Sequence, residues 1–321
     1  MKNYIESTLI LDEARATVKK RSYIKITLIF LFVYFLSALI ISLASSICLI
    51  IYGFFNTDSA QGFMNSNGES IDSSNIIDLV LNAAIIICSV VYCTRFERRR
   101  LFTMGFIKKG AISSYLAGLL TGLVMFSATF AIIYLSGGFA SVRLNVDISY
   151  GIIFLMFLGF MIQGMSEEVM LRGYYMVSLT TRGNIPLAIF ASSIIFALLH
   201  IGNSGINVIG LINIFLFGIF ASLHFIRRGN IWGISALHSI WNFAQGNIFG
   251  CLVSGNDSGG SIIVTEAKNG VGFINGGEFG PEGGIAVTIV LTFGIAVLFF
   301  MRNKTLSGEI TERTVTLNYK I

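Results

Sequence analysis

The chain has 321 residues, 54% hydrophobic and 12% charged, with a formal net charge of +5 and a mean hydropathy of +0.78. Soluble domains carry roughly a quarter charged residues, so this composition excludes a soluble globular protein. Apolar runs of about twenty residues without period-two alternation exclude an outer-membrane barrel as well, and the excess of Lys and Arg sits beside those runs, which removes nucleic acid as its explanation.

A basic segment, 1–22, opens the chain. Eight apolar runs then follow at roughly 24–54, 75–94, 111–135, 150–178, 185–201, 206–226, 231–250 and 284–301. The expected fold is all-α, a polytopic transmembrane helical bundle of about eight spans. The first and fourth runs exceed the ~20 residues that a crossing needs, which tilt would accommodate. The first is too long for the apolar core of a cleavable signal and reads as a signal anchor. The chain divides into the N-terminal segment (1–22), two N-terminal spans (23–98), a membrane domain (99–304) and a tail (305–321).

Orientation follows from Lys and Arg. The N-terminal stretch carries Lys2, Arg15, Lys19, Lys20, Arg21 and Lys25, and Arg95, Arg98, Arg99, Arg100, Lys108 and Lys109 follow the second run. Arg182, Arg227, Arg228, Arg302 and Lys304 recur on the same side, whereas the alternate connections hold only Arg143 and Lys268. The expectation is a multi-pass protein of the cell membrane with both termini cytoplasmic. The external connection 251–283, rich in Gly, Asn and Ser, reads as an irregular, mobile insertion. Cys48, Cys88, Cys93 and Cys251 form no C-x-x-C pair, so neither a disulfide framework nor a thiolate metal site is indicated.

Six polar side chains interrupt the apolar runs: Glu167, Glu168, Arg172, His200, His238 and Asn242. A charge at helix depth costs at least ~2.5–3.5 kcal/mol even on insertion scales, so such residues are paired, wetted or used. Glu168 and Arg172 are four apart with the acid N-terminal, the favourable order for an intrahelical ion pair. Glu167 lies about 100° round the helix and cannot share that bond fully. One carboxylate is therefore left to point elsewhere. Phe196 stands one turn before His200, where it can pack beside the imidazole, and His238 and Asn242 share a helix face.

Were these helices to converge, one carboxylate, two imidazoles and an amide would surround one cavity. Peptide hydrolysis needs such a set: a base to take a proton from water and donors for the oxyanion. Taken singly, each residue has a structural reading: an ion pair for Glu168 and Arg172, a helix-end hydrogen bond for His200, an interhelical bond for Asn242. His224, with no partner at helical spacing, reads as interfacial and structural. Counting along the helices places His238 about 10–12 Å from the basic end but His200 more than roughly 20 Å from it, so convergence requires tilt or a later start to the fifth span.

The pattern resembles the CPBP family, the CAAX prenyl proteases and their bacterial relatives, also called the Abi family. Its marks are Glu-Glu-x-x-x-Arg, Phe-x-x-x-His and His-x-x-x-Asn on separate membrane helices. They appear here as SEEVMLRGYY, IIFALLH and ISALHSIWNF, the last preceded by RRGNIWG, and the similarity covers roughly 150–250. The resemblance implies an intramembrane endopeptidase in which Glu167 activates water with help from His200. His238 and Asn242 would stabilise the oxyanion, while Glu168 and Arg172 hold the helix. No cofactor is favoured, although Glu167, His200 and His238 could ligate zinc with an open position; no His-Glu-x-x-His is present to support that. The implied partner is a membrane-associated peptide or protein within the bilayer, such as a peptide pheromone, a bacteriocin precursor or a signalling protein.

Three other readings stay open. Gly202-Asn-Ser-Gly205 matches the Gly-x-Ser-Gly of rhomboid serine proteases, with Ser204 as nucleophile and His238 as base. A proton-coupled transporter would also use intramembrane Glu and His, though no inverted repeat is visible. A non-catalytic protein of bacteriocin immunity or partner binding is the third.

Overall fold

The computed structural model describes residues 8–19, 21–55 and 69–301; the tail 305–321 and most of the connection 56–74 lie outside them. The molecule is an all-α polytopic bundle. Its helices are α1 (Leu9–Thr17), α2 (Tyr23–Phe55), α3 (Glu69–Leu81), α4 (Ala83–Val91), α5 (Ala111–Leu135), α6 (Tyr150–Glu168), α7 (Val177–Thr180), α8 (Ile185–Leu199), α9 (Val208–Arg228), α10 (Trp232–Phe243), α11 (Gly272–Asn275) and α12 (Ile285–Phe300).

Five stretches are long and apolar enough to cross a membrane: Tyr23–Cys48, Asn75–Phe96, Ala111–Leu135, Tyr150–Thr180 and Val208–Arg228. The other three expected runs become shorter helices, α8, α10 and α12. At 1.5 Å per residue the 15 residues of α8 reach only about 22 Å. Its start is set by Asn184, whose side chain accepts from the Leu187 amide at 2.9 Å, and by a proline in the first turn. Past Leu199 only Ile201 continues the apolar character, while the flank at 181–184 is polar, so the expected run exceeds α8 by two residues at its C-terminal end.

Small residues let the central helices approach closely, as is common where lipid supplies no hydrophobic drive between helices. A Cβ at Gly118 of α5 would lie 2.1 Å from the Gly233 carbonyl oxygen, and one at Gly122 2.4 Å from that of Leu237, so α5 presses directly on α10. Gly164 of α6 makes the same contact from the other side: a Cβ there would meet Ser239 Oγ at 2.5 Å and Ser239 N at 2.6 Å. Gly218 of α9 packs on Ser193 of α8 in the same way. These crossings clamp α10 at the centre of the bundle, and every residue of that helix after Trp232 is buried.

Two ends can be distinguished. At the end carrying the Lys- and Arg-rich connections, Arg99 pairs with Glu97 at 2.9 Å and donates to the carbonyls of Gly173 and Tyr174. Ile231 N donates to Gly105 O, and Trp232 Nε1 to Ile107 O at 2.8 Å. Helix α1 is drawn to the same end by Arg15 Nε on Thr180 O. Helix α2 docks through Thr27 and Tyr175, whose hydroxyls are 2.8 Å apart, and through Phe30 stacked on Tyr175 at 4.2 Å.

At the opposite end the segment 251–283, read as irregular from its composition, carries one strand and short helical turns. Strand β2 (Ile263–Ala267) pairs antiparallel with β1 (Phe139–Leu144), Val142 facing Thr265. Asn203 Nδ2 donates to Ser254 O, Asn207 Nδ2 to the carbonyls of Gly276 and Gly283, and Asn275 Nδ2 to Gly138 O. The Gly, Asn and Ser content that suggested irregularity supplies these tight turns and amide bonds.

Candidate active site

Both helices that carry the densest polar residues pass into π turns just beyond them. Val169–Met176 follows Glu168, and Ala244–Ile248 follows Asn242. Wide turns of this kind are frequent at functional sites because they change which side chains share a face.

Behind the site lies a fully buried ion pair. Arg172 Nη1 donates to Glu168 Oε1 at 3.0 Å with both side chains at 0% exposure, as the spacing predicts. Arg172 Nη2 adds the Gly218 carbonyl at 3.2 Å, and its guanidinium lies 4.9 Å from the Phe196 ring centre. The same Glu168 oxygen accepts from His238 Nδ1 at 2.9 Å. Since a carboxylate oxygen can only accept, Nδ1 carries a proton, and Nε2 is directed to Glu167 Oε2 at 3.8 Å. The ion pair thus also sets the ring of a candidate catalytic residue, a link that no intrahelical spacing reveals.

Glu167 is the spare carboxylate. Its Oε1 accepts from Gln163 Nε2, while Oε2 is buried without a hydrogen-bond partner. Gln163 in turn accepts from Asn242 Nδ2 at 3.0 Å. Acceptor-only chemistry at Glu167 orients the whole chain of amides, Asn242 to Gln163 to Glu167. Gln163 was missed in the sequence; its signal is the Gln-x-x-x-Glu spacing one turn before the motif on an otherwise apolar helix.

Glu167, His200, His238, Asn242 and Gln163 all line one cavity of about 450 Å³, with Phe196, Phe217 and Trp241 among its apolar walls. His200 Nδ1 lies 2.8 Å from Phe196 O; a carbonyl only accepts, so the proton is on Nδ1 and Nε2 of the neutral ring is an acceptor. The Phe196 ring packs edge-on to His200 at 4.7 Å and lies 6.2 Å from His238, so it stands between the two imidazoles. Both imidazoles line this one cavity although the depths counted from the sequence set them apart. Glu168 and Arg172 stay outside its lining, as does Ser204.

His224 is buried, its ring against Gly233. Among the described residues no three His, Cys, Asp or Glu side chains form a group that could hold a metal. Glu167, His200 and His238 share the cavity wall.

Glu282 is a second carboxylate at the cavity that the sequence did not single out. Its Oε2 accepts from Ser254 N at 2.6 Å, from Ser254 Oγ at 3.0 Å and from Gln245 Nε2 at 3.1 Å. Lying outside the spans, its carboxyl is held above the usual carboxylate range by burial, which these donors only partly offset.

A polytopic helical membrane protein with a glutamate–histidine–asparagine cavity inside the bundle is the class these features define. Residues 149–244, from α6 to the end of α10, match the family model described as type II CAAX prenyl endopeptidase Rce1-like. That match supports membership of the CAAX protease, or CPBP, family, and with it an intramembrane CAAX-type protease in general. No match to a curated protein was found.

Proposed function

We propose that the chain is an intramembrane endopeptidase that hydrolyses a peptide bond of a membrane-associated protein or peptide, with Glu167 as the base. The observation that carries this reading is the unpartnered Glu167 Oε2 in the cavity wall. A buried carboxylate oxygen without a donor is costly, and a water placed there would satisfy it.

In the reaction, Glu167 takes a proton from that water as its oxygen bonds to the scissile carbonyl carbon. The developing oxyanion accepts from the second N–H of Asn242 Nδ2, the first being held by Gln163, and from His238 when Nε2 is protonated. One such donor is worth about 10²–10³ in rate. Collapse breaks the C–N bond while Glu167 returns the proton to the leaving amine. His200 Nε2 stands as the acceptor that can assist in moving that proton. Glu168, itself held by Arg172, fixes the orientation of the His238 ring through Nδ1.

The serine reading has no geometric support: Ser204 is outside the cavity lining, and the His238 nitrogens face Glu168 and Glu167. The test is mass spectrometry of new peptide termini in host membranes, comparing wild type, Glu167→Gln and Ser204→Ala at matched expression. Loss of cleavages in Glu167→Gln alone is expected. Unchanged cleavage in Glu167→Gln removes the glutamate mechanism, and loss in Ser204→Ala restores the serine one. A chelator arm, expected to leave cleavage intact, tests the zinc alternative.

A further inference from the structure

The exposed part of the cavity lining lies at the end away from the Lys- and Arg-rich connections. Its exposed lining residues are Asp78, Asn256 and Asp257. Beside them stand Asn75, which bridges to Asp257 O at 3.0 Å, Asn203 in the turn after α8, and Ser254 and Glu282 of the folded outer segment. No lining residue among those described comes from 92–110, 181–184 or 227–231, the connections at the basic end. At that end Cys93, Met104, Tyr174 and Tyr175 are fully buried and Glu97 pairs with Arg99.

A second cavity, about 430 Å³, lies between α2 and the α3–α4 pair and shares Tyr34, Asp78, Asn82 and Ile85 with the first. It carries Ser42, Ser45, Ser46, Asp78 and Asn82 on helices otherwise facing lipid. Ser45 Oγ donates to Asp78 Oδ1 at 2.9 Å across its two lips. Polar groups at such a place are tolerated where they line a wetted passage. The passage therefore extends sideways from the mouth at the outer ends of two spans.

Positively charged connections face the cytoplasm. Resting on the protease reading above, we infer that the site takes its substrate from the extracytoplasmic side: a polypeptide segment exposed outside the membrane, admitted at the mouth formed by Asp78, Asn203 and Asn256. The polar cleft between α2 and α3 suits a segment that continues into a membrane anchor in the outer leaflet.

Single cysteines test the assignment in intact cells of the host, with wild-type labelling as the background for the native thiols. Asn256→Cys sits at the mouth, and Lys108→Cys at the basic end. Treatment uses a membrane-impermeant maleimide carrying a polyethylene glycol chain. Asn256→Cys is expected to react in intact cells and to lose at least tenfold of its cleavage rate once modified, whereas Lys108→Cys reacts only after permeabilisation. The cleavage sites found in the terminus experiment should map to extracytoplasmic segments. Reaction of Asn256→Cys only after permeabilisation, undiminished cleavage by the modified protein, or cleavage sites in cytosolic segments would each overturn the inference. The labelling arm does not depend on catalysis, so a failure of the glutamate mechanism shows separately, as unchanged cleavage in Glu167→Gln.

Discussion

Glu168 Oε1 and His238 Nδ1 lie 2.9 Å apart across α6 and α10, and the same oxygen holds Arg172 Nη1 at 3.0 Å. One buried carboxylate oxygen therefore serves two helices. Removing it leaves a guanidinium uncompensated in the interior, which costs about 3–5 kcal/mol. Glu168→Ala should lower the thermal midpoint in detergent and reduce the yield of folded protein. Glu167→Gln, which loses only the base, should match wild type in both measurements. Equal stability of the two variants would separate Glu168 from the support of the bundle.

Gln163 should act on rate rather than on binding. It is the only group donating to Glu167 among the described hydrogen bonds, and it spends its own oxygen on Asn242. Gln163→Met keeps the length and volume of the side chain and removes both bonds. Displacing a reacting group by about 1 Å can cost roughly 10²-fold, so kcat should fall by about that factor with KM nearly unchanged. In a double-mutant cycle with Asn242→Ala the effects should be markedly non-additive. Additive losses would mean that the amide chain is not a unit.

Gly164 sets the distance between α6 and α10. Its missing Cβ leaves room for Ser239 at a separation no side chain would tolerate, and His238 is the residue before that serine. Gly164→Ala forces the helices apart, at about 1–3 kcal/mol of overpacking, and draws His238 away from Glu168. Activity should drop more than stability does, measured as cleavage rate against thermal midpoint in the same preparation. Gly151, whose Cβ would meet nothing within 4 Å, is the control: Gly151→Ala should be silent.

The outer segment should respond to pH through Glu282. Its carboxyl is raised above the usual range by burial, so the folded segment holds the proton more tightly than the unfolded one. A raised pKa contributes stability that is complete below the unfolded value and is lost as pH rises through the folded one. Hydrogen exchange of the amides of 252–258 should therefore be better protected at pH 5 than at pH 8, after correction for intrinsic rates. Glu282→Gln, which cannot ionise, should abolish the difference. Protection that increases with pH would reverse the sign and defeat the assignment.

Much of this was written in one dimension. Composition determined the membrane class, because a chain so poor in charge cannot cover a soluble surface. The spacing of Glu168 and Arg172, of Phe196 and His200, and of His238 and Asn242 was legible because residues four apart on a helix touch whatever the rest of the chain does. The spare carboxylate was legible for the same reason: one ion pair cannot occupy two adjacent acids. What only the tertiary structure decided are contacts between helices. Glu168 reaches His238 because Gly164 and Gly122 let α10 approach from two sides, and a missing Cβ announces closeness without naming its partner. Gln163 joins Glu167 to Asn242 across 79 residues of sequence. The lengths of α8 and α10 and the folding of 251–283 over the cavity mouth were hidden too. Apolar composition does not mark where a helix stops, and the hydrogen bonds of Asn203, Asn207 and Asn275 exist only once distant turns are brought together.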